Sequence, residues 1–251
     1  MTEKKKEVIK RSIAIGVICV GLLLVLYFVL RYNEHGETNM PYNVSKIMLV
    51  STAEGVTKEK AAEKWNMSVM QNNDVYLYIT KNENAKTSDD EANNLIRSVV
   101  IDNIQITEQP KVGNIVKYMP SSLKDGRVFL YNDEYIFEDS LTYTGGSADN
   151  SRTLEINSNG GLIEFRFTNN GIGDYVSDTD EEIRHDGSLL AKLGKKNEDI
   201  KFKVTFDLTI NLKKINYKTS VTLDFPCGDI ITEGTSNTEL VDQNFIFKRV
   251  K

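Results

Sequence analysis

Residues 200–225 read IKFKVTFDLTINLKKINYKTSVTLDF, and this stretch predicts a β-hairpin. Apolar side chains recur at every second position from Ile200 to Leu212, with polar side chains between them. After a short turn the alternation resumes at Tyr217 and continues to Phe225. A period of two gives a strand one apolar face and one polar face. We predict that Leu212 pairs with Tyr217, which turns both apolar faces toward the same side.

Shorter β-branched and aromatic stretches predict further strands through most of the chain. We also predict a hairpin around Ser158 to Gly161, a second hairpin around Asn132, and a two-turn helix capped by Thr57. The predicted strands are 45–52, 73–80, 95–107, 128–131, 135–137, 141–144, 153–156, 162–168, 230–233 and 244–250, and the predicted helix is 57–65.

This succession of strands predicts a mainly β body with a few short helical turns. Strands do not alternate with long helical stretches, so a doubly wound α/β fold is excluded. The spacing instead favours a β-sandwich, either one large unit or two small Ig-like or jelly-roll-like lobes. We favour a first lobe at 43–122 and a second lobe at 123–251, divided just after Pro120.

Residues 12–30, SIAIGVICVGLLLVLYFVL, carry no charge and predict a transmembrane helix. At about 1.5 Å per residue, nineteen helical residues span roughly 28 Å, close to the thickness of the hydrocarbon layer. The run is longer than the apolar core of a signal peptide. The residues at its end, from Phe28 to Arg31, include no small residues at which a signal peptide could be cleaved. We therefore expect an uncleaved anchor, followed by a polar tether at 31–42.

Charge predicts the orientation of this helix. Residues 1–11 hold five lysine or arginine and two glutamate side chains, a net charge of +3, and form the predicted cytoplasmic tail. The whole chain carries −5, so the part after Arg11 carries −8, the difference between the two values. An acidic body outside the cell membrane does not suit nucleic acid as a partner.

The longest break in the strand pattern is an acidic insertion at 169–197. Its simplest interpretation is a solvated loop, although long insertions often serve function. Closely spaced carboxylates make Asp178, Asp180 and Glu182 weak calcium candidates, but Ile183 occupies the position where an EF-hand loop needs glycine. The candidate residues for binding a partner are Asp174, Tyr175, Asp178, Asp180, Ile183 and Asp186.

The sequence lacks the usual catalytic patterns. Its two histidines are too few for a histidine-rich zinc site, and it contains neither a Gly-x-Ser-x-Gly motif nor a phosphate-binding glycine loop. Of the two cysteines, Cys19 lies in the predicted span, so it cannot form a disulfide with Cys227. We predict no catalytic residue, no resident metal and no cofactor. A hydrolase of envelope polymers that uses a pair of carboxylates is the alternative.

Three segments resemble a family of uncharacterised single-pass membrane proteins of low-GC Gram-positive bacteria. They are 163–190, IEFRFTNNGIGDYVSDTDEEIRHDGSLL, together with 202–225 and 228–235, and they cover roughly the last third of the chain. The resemblance implies a bacterial cell envelope and brings no activity or catalytic residue with it. The expected function is therefore a membrane-anchored, non-enzymatic module outside the cell membrane that binds an envelope protein or glycan, or serves a structural role.

Overall fold

A computed structural model describes residues 3–61, 64–86, 91–121, 128–146, 154–177, 188–241 and 243–250. The chain is mainly β, as predicted. The strands are β1 (Tyr42–Ala61), β2 (Lys64–Lys81), β3 (Ser98–Glu108), β4 (Asn114–Tyr118), β5 (Leu141–Gly145), β6 (Glu155–Ile156), β7 (Gly161–Val176), β8 (Phe202–Asn211), β9 (Asn216–Phe225), β10 (Thr235–Val241) and β11 (Lys248–Val250). The α-helices are α1 (Glu3–His35), α2 (Ser188–Lys192), α3 (Asn197–Ile200) and α4 (Ile230–Glu233), and Glu91–Asn93 and Asp133–Tyr135 form 3₁₀ turns.

The strands form two sheets that share one hydrophobic core. The five-stranded sheet has the order β10-β1-β2-β7-β4, and the six-stranded sheet has the order β11-β9-β8-β3-β5-β6. Phe165 of β7 meets Phe206 of β8 edge to face, with ring centroids 5.4 Å apart. Both sheets take strands from either side of Pro120. The predicted lobes 43–122 and 123–251 therefore do not correspond to the sheets, because strand pairing joins segments that are distant in sequence.

The hairpin of β8 and β9 forms as predicted, with a register that differs by two residues. Tyr217 lies opposite Ile210 instead of Leu212, and Phe206 lies opposite Val221. Leu212 belongs to the connecting loop, where its N–H donates to the carbonyl oxygen of Ile215 at 3.0 Å. A shift of two residues keeps every side chain on its original face, so the alternation could not distinguish the two registers.

The helix predicted at 57–65 is wrong. Of the described residues in this stretch, 57–61 belong to β1 and 64–65 to β2, with Thr57 opposite Met67 and Ala61 opposite Lys64. A two-turn helix leaves many backbone groups without intrahelical partners and is marginal unless it packs. Here the antiparallel ladder between β1 and β2 continues outward and provides partners for those groups.

Two of the predicted hairpins are also absent from the described structure. β6 pairs in parallel with β5 in the six-stranded sheet, whereas β7 lies in the five-stranded sheet, so the turn between them is a corner. Gly160 occupies this corner with φ +110°, and a Cβ atom there would fall 2.5 Å from the carbonyl oxygen of Ile79. Around Asn132 the chain forms the 3₁₀ turn Asp133–Tyr135, which the Asn132 side chain caps at the N–H of Glu134.

The end of the chain also differs from its prediction. Residues 230–233 form α4 rather than a strand, because Asp229 accepts hydrogen bonds from the N–H groups of Ile231 and Thr232 and caps the helix. The following strand β10 was missed, and of the predicted strand at 244–250 only β11 forms. β10 is an edge strand whose side chains are largely exposed, so it lacks a strong apolar alternation.

The predicted acidic insertion is shorter than expected. β7 continues to Val176, so the first eight residues of 169–197 belong to a strand paired with β2. Near the end of this stretch, Ser188–Lys192 forms the short helix α2. Residues 178–187, which hold most of the acidic side chains, lie outside the described residues.

The residues of the predicted tether, 31–42, are partly helical and contact the body of the protein. α1 continues to His35, and the chain then docks on the C-terminal segment. The Arg249 N–H donates to the Tyr32 hydroxyl at 2.8 Å, Arg249 Nε pairs with Glu37 Oε2 at 2.5 Å, and the Glu37 N–H donates to the Phe247 carbonyl at 2.7 Å. Gly36, at φ +66°, permits the close approach, since a Cβ atom would lie 2.5 Å from the Phe247 oxygen. We call this contact the junction.

α1 is exposed along its apolar length. Its large apolar side chains between Ile13 and Leu30 are 51–67 % exposed. One segment of it, Lys10–His35, is long and apolar enough to cross a bilayer, and none of its apolar core is buried in the protein.

Candidate functional site

The outer face of the five-stranded sheet carries a connected set of polar side chains. Alternation places Leu77 and Phe165 in the core and turns their neighbours Tyr76 and Arg166 outward. Cross-strand pairing then sets Asp74 opposite Arg166 on this face. We call the group the outer-face network, and its members are Glu54, Asn72, Asp74, Tyr76, Tyr131, Arg166 and Thr168.

A two-pronged ion pair forms the centre of the outer-face network. Arg166 donates from Nε to Asp74 Oδ1 at 2.5 Å and from Nη2 to Asp74 Oδ2 at 2.9 Å. Both side chains are largely buried, at 14 % and 13 % exposure. Burial alone would lower the pKa of Arg166, but its hydrogen bonds and its attraction to Asp74 outweigh that effect and raise the pKa. Arg166 therefore stays charged, and the two-pronged contact with Asp74 fixes its orientation.

Residues 128–131, which we call the strap, lie across this pair. The Phe129 ring centroid is 4.4 Å from Cζ of the Arg166 guanidinium, a cation–π contact. The Tyr131 hydroxyl accepts hydrogen bonds from Arg166 Nη1 at 3.1 Å and Asn72 Nδ2 at 2.6 Å, and it donates to Glu54 Oε2 at 2.5 Å. Three partners, one from each of β1, β2 and β7, therefore meet at this hydroxyl group and hold the strap on the sheet.

Three further contacts complete the network. Asn72 also donates to Glu54, and its Oδ1 accepts a hydrogen bond from Thr168 Oγ1 at 2.9 Å. The Tyr131 ring meets the ring of Tyr118 in β4 edge to face at 5.9 Å. The strap is thus bound to β1, β2, β4 and β7 at once.

The tyrosine hydroxyls of this face resist ionisation. Burial raises the pKa of Tyr131, and its hydrogen bond to Glu54 adds to the effect. Burial, together with the negative charges of Asp74 and Glu164, raises the pKa of Tyr76 to about 12. Both hydroxyls therefore remain neutral hydrogen-bond donors at physiological pH.

These raised values predict a loss of stability at alkaline pH. Below pH 10 tyrosine is protonated in the folded and unfolded chains alike, so the full stability is present. Between pH 10 and 12 the unfolded chain ionises Tyr76 while the folded chain does not, and the free energy of unfolding falls. Urea denaturation of the full chain in detergent, from neutral pH to pH 12, measures this fall. Tyr76→Phe should make it shallower, and equal slopes in the two proteins would contradict the assignment.

The chemistry of the outer-face network favours binding and positioning over proton transfer. Its two acidic members already have partners, Glu54 through Tyr131 and Asn72, and Asp74 through Arg166. The outward side of the strap is open, since Val128, Leu130 and Tyr131 are 46 %, 39 % and 41 % exposed. Apolar and aromatic surface beside fixed hydrogen-bonding groups is typical of recognition surfaces.

The predicted partner-binding residues lie elsewhere or outside the described residues. Asp174 is exposed near the end of β7, opposite Ser68. Tyr175 is half-buried against a second, smaller core, and Lys192 Nζ lies 5.4 Å from its ring centroid. At about 3.3 Å per residue, Asp174 lies roughly 26 Å along the strand from Arg166. Asp178, Asp180, Glu182, Ile183 and Asp186 fall in the undescribed stretch 178–187.

Sequence reasoning missed the outer-face network. The pattern predicted a strand at 162–168, but nothing in it indicated that Tyr131 or Glu54 would reach Arg166. Within the described ranges, no three His, Cys, Asp or Glu side chains are grouped as a metal site would require. That leaves the calcium hypothesis for the undescribed stretch untested.

Comparisons with protein-family models, curated proteins and solved structures found no match to this chain. The resemblance of its segments to single-pass membrane proteins therefore stays a prediction.

Proposed function

We propose that this chain is a membrane-anchored, extracytoplasmic module of the bacterial cell envelope that works by binding or by a structural role, without enzymatic activity. The exposure of α1 carries the proposal. Apolar side chains that are 51–67 % exposed along the whole run from Ile13 to Leu30 would be costly in water, at about 25 cal/mol for each Å² of apolar surface. A bilayer removes that cost.

The flanks of α1 support one orientation. Five lysine and arginine side chains precede the apolar run, and positively charged flanks are retained in the cytoplasm. The β body then lies on the opposite side of the cell membrane. The contact between Phe165 and Phe206 supports its description as a β-sandwich, while an Ig-like or jelly-roll-like topology stays a prediction.

This topology predicts a definite labelling pattern in intact cells. In a background of Cys19→Ser and Cys227→Ser, a membrane-impermeant thiol reagent should label Asp174→Cys directly. It should label Lys5→Cys only after the cells are permeabilised, because that residue precedes the span. The protein should also stay in the membrane pellet after alkaline carbonate extraction. Release into the supernatant, or labelling of Lys5→Cys in intact cells, would contradict the anchor or its orientation.

The partner is proposed to be an envelope protein or glycan. Two surfaces are candidates for it: the outward side of the strap, and the acidic end of β7 with the residues that follow it. A photo-crosslinking residue at Leu130, Tyr175 or Ile183 should give a specific adduct in cells, whereas the same residue at the exposed Glu134 serves as a control. Adducts no stronger than those from Glu134 at all three sites would remove both surfaces.

The hydrolase alternative makes a different prediction. It requires a free carboxylic acid and a carboxylate across a cleft. Within the outer-face network both Glu54 and Asp74 are held by hydrogen bonds, so this site does not favour it. Release of soluble fragments from purified cell wall by the full chain in detergent would support the alternative.

A further inference from the structure

The junction places part of the body at the depth of the lipid headgroups. The apolar run of α1 ends at Leu30. At a rise of about 1.5 Å per residue, Tyr32 lies about 3 Å beyond Leu30 and Gly36 about 9 Å beyond it. The headgroup layer on one side of a bilayer is roughly 5–8 Å thick, half the difference between the full and the hydrocarbon thickness. Tilting the helix only shortens these distances, so whatever touches Tyr32 and Gly36 lies in or beside this layer.

The C-terminal segment 245–250 is what touches them. Arg249 is bonded through its N–H to the Tyr32 hydroxyl, and a Cβ atom at Gly36 would lie 2.8 Å from Cγ2 of Ile246. The ion pair of Arg249 with Glu37, whose side chain is only 10 % exposed, adds a fixed contact. The segment therefore cannot swing away from the helix end without breaking the junction.

The side chains of this segment suit an interfacial position. Ile246 and Val250 are 43 % and 37 % exposed, and Tyr32 beside them is 36 % exposed. A cleft of about 510 Å³ opens here between the last turn of α1 and the body, and its lining includes Asn33, Phe245, Ile246, Lys248 and Val250. Lys218 also lines the cleft, but it pairs with Asp207 of the same lining at 2.8 Å. Apolar side chains, tyrosine and lysine together match the gradient from acyl chains to phosphate groups at a membrane surface.

We infer that segment 245–250 and the cleft beside it form a lipid-contact surface, which seats the β body on the headgroups of the same bilayer that α1 crosses. The occupant is phospholipid, and the choice follows from the continuity of this surface with the span. The inference rests on the proposed membrane anchor. It adds that the body is held against the membrane at a fixed place and does not sway on a tether.

Fluorescence quenching tests the contact with the full chain in phosphatidylcholine and phosphatidylglycerol vesicles. Single cysteines at Ile246 and Val250, in the background without Cys19 and Cys227, carry an environment-sensitive fluorophore, and spin-labelled phospholipids act as quenchers. Val56 is the matched control, because it is also 37 % exposed. It lies fourteen residues along β1 from Tyr42, the first residue of that strand, which corresponds to about 45 Å. Leu24→Cys reports on the span itself.

We expect headgroup-labelled lipid to quench most of the emission at Ile246 and Val250 and little at Val56, while acyl-chain-labelled lipid quenches Leu24. Equal quenching at Val250 and Val56, with Leu24 still quenched, would overturn the lipid-contact surface and leave the anchor intact. If the Leu24 label is not quenched, the anchor fails and this inference fails with it.

Discussion

Replacement of Phe165 by alanine is expected to lower the free energy of unfolding by about 4 kcal/mol. The Phe165 ring is fully buried, and it packs edge to face against Phe167 at 5.6 Å and against Phe206 at 5.4 Å. Its removal forfeits the transfer free energy of the ring and leaves a cavity that rigid strands cannot close. Because Phe206 belongs to the other sheet, both sheets should be destabilised together.

Urea denaturation of the full chain in detergent gives the size of this effect, and hydrogen exchange read by mass spectrometry shows where it acts. Protection should fall in β2 and β7 and equally in β8 and β9. The matched control is Val56→Ala, a substitution at a partly exposed position of the same sheet, which should change stability by no more than about 0.5 kcal/mol. If β8 and β9 keep their protection in Phe165→Ala, the two sheets do not unfold as one unit, and the shared core does not couple them.

Substitution of Arg166 by methionine is expected to cost about 3 kcal/mol and to release the strap. Methionine keeps an apolar stem of similar length but leaves the Asp74 carboxylate, only 13 % exposed, without its cationic partner. An uncompensated buried charge is far more costly than the loss of an ion pair in water. The cation–π contact to Phe129 and the hydrogen bond to Tyr131 disappear at the same time.

Hydrogen exchange at residues 128–131 should therefore quicken in Arg166→Met even where the rest of the sheet stays protected. The control is Lys46→Met, because Lys46 pairs with Glu239 at 3.1 Å on the same sheet but at 30 % and 52 % exposure. Such an exposed pair is worth no more than about 1 kcal/mol. The double variant Asp74→Leu with Arg166→Met should recover much of the loss, since it removes both charges. A loss in Arg166→Met no larger than in Lys46→Met would show that the pair has no special role.

Period-two alternation was the most informative signal in the sequence. It placed Phe202, Phe206 and Leu223 in the core and their neighbours outside, and the described structure agrees. It could not choose between pairing Tyr217 with Ile210 or with Leu212, because both registers give the same inward set. It also could not say which sheet a strand enters, which is why β6 and β7 were wrongly paired with each other.

Local propensity was least reliable where a long-range partner was available. The stretch 57–65 has the composition of a helix, yet its backbone pairs across β1 and β2. The strap shows the same limit for side chains, since Glu54, Tyr131 and Arg166 are separated by 77 and 35 positions along the chain. No local pattern can indicate that residues so far apart share a hydrogen-bond network.

The class of the body, the apolar run within α1 and the inward or outward direction of most strand residues could therefore be predicted from the amino-acid sequence. These properties depend on each segment's own periodicity and composition. The tertiary structure was needed to show the sheet order, the register, the outer-face network and the junction of Tyr32 and Glu37 with Arg249. Strand pairing and buried ion pairs need partners from distant parts of the chain. Those partners meet only when the shared core forms, so no single segment can indicate them.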